Sequence, residues 1–217
     1  MTIVTERCRN NIRNALKTYK TTVDQAKNRL EQVKRDFGDE AEARERERLE
    51  NQMKTAREKA EAVIRDSHRE AVENTMKWGQ LNGANLTDDH KLLTAGLVDP
   101  AEFDRLKAKY QDNATMLKAL KKYGEQENGK LAEKAHANGE NLVMDSFNVK
   151  DITTADDRIV NWNKFQKSAV ERLDMIDGSG KYRDLWYQTF TKAFDDKSGK
   201  KFDAESGIDS FGEGIDL

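Results

Sequence analysis

Proline, cysteine and long apolar runs are nearly missing from this chain of 217 residues, and each scarcity removes a class of structure. A single proline leaves few places where a helix must break for want of an amide donor. A single cysteine, Cys8, has no partner for an intrachain disulfide, so a reducing compartment is expected. No apolar stretch approaches the roughly 18 residues of a membrane span, so no membrane association is expected. The opening residues carry Glu6, Arg7, Arg9 and Arg13 with no apolar core behind them, so a leader peptide is not expected. Hydrophobic residues make up only 36 %, whereas charged residues reach 36 % and the mean hydropathy is -0.95. An ordinary domain is about 25 % charged and about 45–50 % apolar. Much of this chain must therefore face water, as the outer faces of long, thin helices do. The net charge of -2 supplies no overall pull toward nucleic acid.

What the chain does have is helical periodicity. Ile12, Leu16, Tyr19, Val23, Ala26, Leu30, Val33 and Phe37 follow one another in alternating steps of four and three, a heptad seam that Val4 and Cys8 extend backward. Gly38-Asp39 reads as a stop followed by a start. A second stripe of smaller residues follows through Leu49, Met53, Ala56, Ala60, Val63, Ser67 and Ala71, ending at Trp78-Gly79. Residues 1–35 carry a net charge of +6 and residues 36–80 a net charge of -3. Adjacent helices of opposite sign attract, so an antiparallel hairpin folding at Gly38 is the first reading, with arms about 50 Å long. One nearly continuous helix that dimerises is the alternative, since a helical glycine costs only about 1 kcal/mol.

Beyond Trp78 the pattern becomes a set of short helices. Thr87 is expected to cap Asp88–Ala95, which Gly96 stops. Asp99-Pro100 opens a helix bearing Phe103, Leu106 and Tyr110. Asn113 caps one bearing Met116, Leu117, Leu120 and Tyr123, and Thr153 or Thr154 caps one bearing Ile159, Trp162, Phe165, Ala169, Leu173 and Ile176. A last helix is expected over Lys181–Phe194. Only Tyr19 and Phe37 represent the aromatics before residue 78, and all three tryptophans lie at or after it. Aromatic side chains dominate packed cores. The expected division is a coiled-coil hairpin over 1–78, a helical domain over 79–194 and an acidic, glycine-containing tail over 195–217. In that tail Ile208, Phe211, Ile215 and Leu217 alternate with acids and glycines, which suits a segment that is either disordered or ordered only on a partner. The fold class is all-α.

No chemical centre emerges. His68, His90 and His136 lie on separate segments, and one cysteine makes no zinc pattern. Reading a calcium loop from Asp174 puts Ile176 at its third position and Ser179 where glycine belongs; from Asp196, Lys200 and Lys201 fall at the fifth and sixth. Phosphate-binding and nucleophile-elbow glycine motifs are absent. No catalytic residue, metal ligand or cofactor is expected, and the chain is read as no enzyme. The basic residues of the first helix offer phosphate contacts without an aromatic platform, so pairing with the acidic second helix is preferred over nucleic acid. Trp78-Gly79 does not match small secreted W-x-G hairpins: the order is Trp-Gly, and it follows the hairpin instead of sitting at its turn.

The central segment carries a resemblance. It reads Lys77-Trp78-Gly79-Gln80-Leu81-Asn82-Gly83, then Leu86-Thr87-Asp88-Asp89-His90-Lys91-Leu92-Leu93, Gly96-Leu97, Phe103, Lys109-Tyr110 and Asn113-Ala114-Thr115-Met116-Leu117. Over roughly residues 75–125 this resembles coiled-coil proteins encoded among the head genes of tailed bacteriophages and prophages of Gram-positive bacteria. The resemblance implies a virion protein, assembled in the host cytoplasm, that binds the major capsid protein or other virion proteins and brings no catalytic residues. The implied alternatives are a scaffolding chaperone absent from the mature virion and an internal head protein touching DNA. The acidic C-terminus departs from the basic end typical of scaffolds. The expected contact residues are the seam (Ile12, Leu16, Tyr19, Val23, Leu30, Val33, Phe37, Leu49, Met53, Val63), which also offers self-association, and the tail residues Ile208, Phe211, Ile215 and Leu217.

Overall fold

The computed structural model describes residues 2–139 and 146–179 together with Ile208 and Phe211. The fold is all-α: six helices and one 3₁₀ turn, with no strand among the described residues. The helices are α1 (Thr2–Phe37), α2 (Asp39–Gly79), α3 (Asp89–Thr94), α4 (Pro100–Lys109), α5 (Ala114–Ala137) and α6 (Ala155–Asp177), and the 3₁₀ turn is Gly83–Asn85. The helix expected over Lys181–Phe194 and the tail residues Ile215 and Leu217 lie outside the described residues.

Among the described residues two compact units form, one joining the chain up to Val72 with residues 161–179, Ile208 and Phe211, the other spanning Glu73–Val160. The division after Val72 lies a few residues before the expected one at 78, and the expected boundary at 194 lies outside the described residues. The aromatic stripe of α6 belongs with the hairpin, because that is where an uncovered heptad face needs a third helix.

In the first unit, α1 ends at Gly38, whose φ of 81° lies where only glycine is unstrained. The Gly38 N–H donates to the Lys34 carbonyl at 3.0 Å, and the Gly38 carbonyl accepts from Glu42 at 3.2 Å. Lys34 and Arg35 close α1, and Asp39, Glu40 and Glu42 open α2, so both helix dipoles meet favourable charge. Arg7 pairs with Glu70, Arg29 with Glu45 at 3.5 Å and Lys34 with Glu42 at 3.5 Å. Numbers rise on one arm as they fall on the other, so the arms are antiparallel and the continuous-helix alternative is excluded. Helix α6 lies along both: His68 meets Asn163 at 2.9 Å, and Arg57 meets Asp174 at 2.5 Å. Cys8, Ile12, Leu16, Tyr19 and Val23 share a core with Ala60, Ile64, Ala71, Trp162, Phe165, Ala169 and Leu173. Each large aliphatic or aromatic side chain buried there contributes about 1.5–3 kcal/mol before entropy is counted.

The second unit is assembled from side-chain caps. Asp99 accepts from the Glu102 N–H at 2.8 Å, and Asn113 from that of Met116 at 3.1 Å. Thr154 and Asp157 cap the start of α6 reciprocally: the Thr154 N–H donates to Asp157 at 2.9 Å, and the Asp157 N–H to the Thr154 hydroxyl at 3.4 Å. Thr87 does not cap α3; its hydroxyl meets that of Tyr110 at 2.7 Å, and Asp88 is the capping position without a side-chain bond. Phe103, Tyr123 and Phe147 form the centre, with edge-on contacts at 5.4 Å and 5.7 Å between ring centroids. Gly124 makes this possible: a Cβ there would lie 2.4 Å from Val149 and 3.0 Å from the Phe103 ring.

Candidate interaction surfaces

The predicted seam divides by burial. Ile12, Leu16, Tyr19, Val23, Val33 and Leu49 are buried, while Leu30 and Met53 are half-buried. Two positions are corrected. Phe37 is 71 % exposed, because it sits at the hairpin turn where no facing helix remains to cover it. Val63 is 40 % exposed, and Ile64 is fully buried in its stead. After Ala60 the stripe takes a step of four to Ile64, and α6 provides the aromatic core that receives it.

Where α6 ends, polar side chains tie it to both arms. Arg57 donates to Asp174 and Asp177 at 2.5 Å each, to the Ser179 hydroxyl at 2.8 Å and to Glu61 at 2.8 Å. The Tyr19 hydroxyl donates to Asp177 at 2.7 Å, and the Lys27 ammonium to the Ile176 carbonyl at 3.3 Å. Burial pushes the Asp177 carboxyl up, but hydrogen bonds from Ser179, Tyr19 and Arg57 outweigh it and hold it below the usual carboxylate range. Burial and the bond to Asp177 raise the Tyr19 phenol. This is a strut: its groups are consumed in holding helices together. Asp174, weighed in the sequence as the first residue of a calcium loop, here holds a guanidinium together with Asp177. Sequence reasoning missed the cluster because Arg57 lies about 120 residues from Asp174, Asp177 and Ser179, and it is one of nine basic residues on α2.

The remaining titratable groups are similarly occupied. Burial, then the neighbouring Glu70 carboxylate, pushes the Cys8 thiol up to about 11, so it stays protonated and unreactive at neutral pH. Among the described residues, no three His, Cys, Asp or Glu side chains converge as metal ligands. None of the described helices is long and apolar enough to cross a membrane. Several basic residues of α1 are engaged within the first unit: Arg13 donates to the Phe211 carbonyl at 2.7 Å, Lys20 pairs with Asp24 of the same helix at 2.5 Å, and Lys27 and Arg29 are engaged as above.

Two of the expected partner-binding tail residues are already docked on this chain. Ile208 is 2 % exposed within the core of the first unit. Phe211 stacks on Phe165 at 4.9 Å between centroids, beneath the Arg172 guanidinium at 5.9 Å. This corrects the reading of Ile208 and Phe211 as side chains awaiting a partner: the aromatic face of α6 offers them apolar burial at no association cost.

Among the described residues, none covers one face of the hairpin. A groove of about 910 Å³ runs between α1 and α2, lined on α1 by Asn11, Asn14, Ala15, Thr18, Tyr19 and Thr22. On α2 it is lined by Asn51, Gln52, Thr55, Ala56, Lys59, Ala60 and Val63. The Thr22 and Thr55 hydroxyls are spent on the carbonyls of Thr18 and Asn51 in their own helices, each at 3.0 Å. Lys59 is the single charged residue of the lining, in a chain that is 36 % charged.

In the second unit, the residues that carry the family resemblance meet one another. Asp89 accepts from Lys109 and from the Tyr110 hydroxyl, both at 2.7 Å. The Trp78 indole donates to the Asp112 carbonyl at 3.1 Å beneath Arg158, whose guanidinium sits 4.7 Å from the ring centroid. The Asn113 amide donates to the Asn85 carbonyl at 2.8 Å. These side chains build the fold of the segment. No family model, curated protein or solved structure matches the chain.

Proposed function

We propose that this chain is a non-enzymatic structural protein of a tailed bacteriophage, associated with the capsid or head, that acts through helix-mediated protein contacts in head assembly or stabilisation. The observation that supports this reading is the first unit: a hairpin that receives α6, Ile208 and Phe211 by helix-face docking, with the side chains of Tyr19, Lys27 and Arg57 spent on joining helices. Such a body suits holding proteins together. The resemblance of residues 75–125 supplies the phage setting.

Mass spectrometry of purified virions, combined with co-sedimentation of the pure chain with the major capsid protein, tests the proposal. Recovery in both supports a retained head protein. Capsid binding with absence from the mature virion moves the assignment to a scaffolding chaperone. Absence from virions and assembly intermediates together with no capsid binding overturns it.

A further inference from the structure

We propose that the open groove of the α1–α2 hairpin is the seat of a second copy of this chain, joined about a twofold axis parallel to the helices so that α1 of each copy faces α2 of the other. The inference goes beyond the head-protein reading and does not depend on it.

The groove has the composition of an interface. Its flanks are marked by ion pairs across the hairpin, Arg7 with Glu70 at one end and Arg29 with Glu45 at the other. Between them the lining holds only Lys59 as a charge. An exposed helix face in so charged a chain would ordinarily be studded with Lys and Glu. Removing charge lowers the desolvation cost of covering a face, which is why interface centres are depleted in charged residues. Alanines and threonines keep the surface shallow enough for a facing helix to approach.

Charge chooses the occupant and its orientation. α1 belongs to a segment of net +6 and α2 to one of net -3. A twofold axis along the bundle sets α1 against the partner's α2 at the same level, antiparallel, just as within one chain. Arg7 then approaches the partner's Glu70, and Arg29 the partner's Glu45, so the rim pairs become shared. The other twofold arrangement sets α1 against α1 and opposes two strongly positive helices. The lining runs from Asn11 to Thr22 on α1, about 17 Å at 1.5 Å per residue, so the uncharged stretch makes the centre of the interface and the ion pairs its edges.

The test uses the full chain in sedimentation equilibrium across micromolar concentrations, with far-ultraviolet circular dichroism as the folding control. The expected mass is twice 24.8 kDa. Thr18→Glu places a carboxylate in the exposed centre of the groove and is expected to weaken the dimer about tenfold or more with helicity unchanged; Asn11→Glu is the second variant should the first lose helicity. Thr18→Glu combined with Thr55→Lys is expected to restore the dimer, because residue 18 of one copy faces residue 55 of the other. A parent chain of monomer mass at all concentrations overturns the proposal. So does a dimer insensitive to the folded single variants, since its interface then lies elsewhere. A dimer lost in Thr18→Glu and not regained in the double variant overturns the orientation.

Discussion

The two units of this protein reach stability by different routes. The first has long helices, an aliphatic seam and a few aromatics on α6, and ion pairs join α1 to α2 toward both ends of the hairpin. The second has shorter helices, of which α4 and α5 begin with side-chain caps, and it is centred on three aromatic rings. The lesson is one of scale. A long helix spreads its stabilisation over many weak, repeated contacts. A ten-residue helix depends on its caps and on one or two large side chains.

Four measurements would sharpen or break that contrast. The largest effect is expected from Trp162→Ala, which empties the most voluminous fully buried site in the first unit and should cost about 3–5 kcal/mol in urea unfolding. A loss below 1 kcal/mol would mean that α6 is not the closing helix. Next is Ile208→Ala, expected to cost about 2–4 kcal/mol by the same mechanism. An unchanged unfolding midpoint would return the tail to its expected role as a segment waiting for a partner.

Third is the acid limb of the second unit. Burial would raise the Asp157 carboxyl, but Lys121 and Thr154 prevail and hold it at about 2. A carboxylate depressed in the folded state contributes stability above its unfolded value near 3.8, and that contribution is lost as pH falls toward 2. Asp157→Asn should therefore flatten the stability–pH slope between about pH 4 and 2 and leave the dependence above pH 5 unaltered. An identical slope in parent and variant would refute this. The smallest effect belongs to Phe37→Ser. Despite its place in the heptad, it should change stability by no more than about 0.5 kcal/mol, because the ring already faces solvent. A loss above about 2 kcal/mol would show that the seam reaches the turn.

Much of this architecture could be read in advance because its causes are local. The alternating steps from Ile12 to Val33, the Gly38 stop and the Asp99 and Asn113 caps depend on neighbours within a few residues. The candidate surfaces were less legible. Ala60→Val63 and Ala60→Ile64 are both acceptable apolar steps, and nothing local separates them. Nothing local separates Arg57 from the other basic residues of α2, and the groove with its single charge is not visible in the sequence because its two lining faces come from segments about 40 residues apart.

What the amino-acid order by itself determined is the set of helices, their breaks, and the opposite charges that fold the hairpin back on itself, since periodicity, caps and dipoles act over one or two turns. Which stripe covers which was decided only in three dimensions: α6 closing the hairpin, Ile64 displacing Val63, Ile208 and Phe211 tucked under Arg13 and Arg172, and one face of α1 and α2 left uncovered. An apolar stripe carries the demand to be buried but no address. The address comes from the shape and charge of whatever face the folded chain brings opposite.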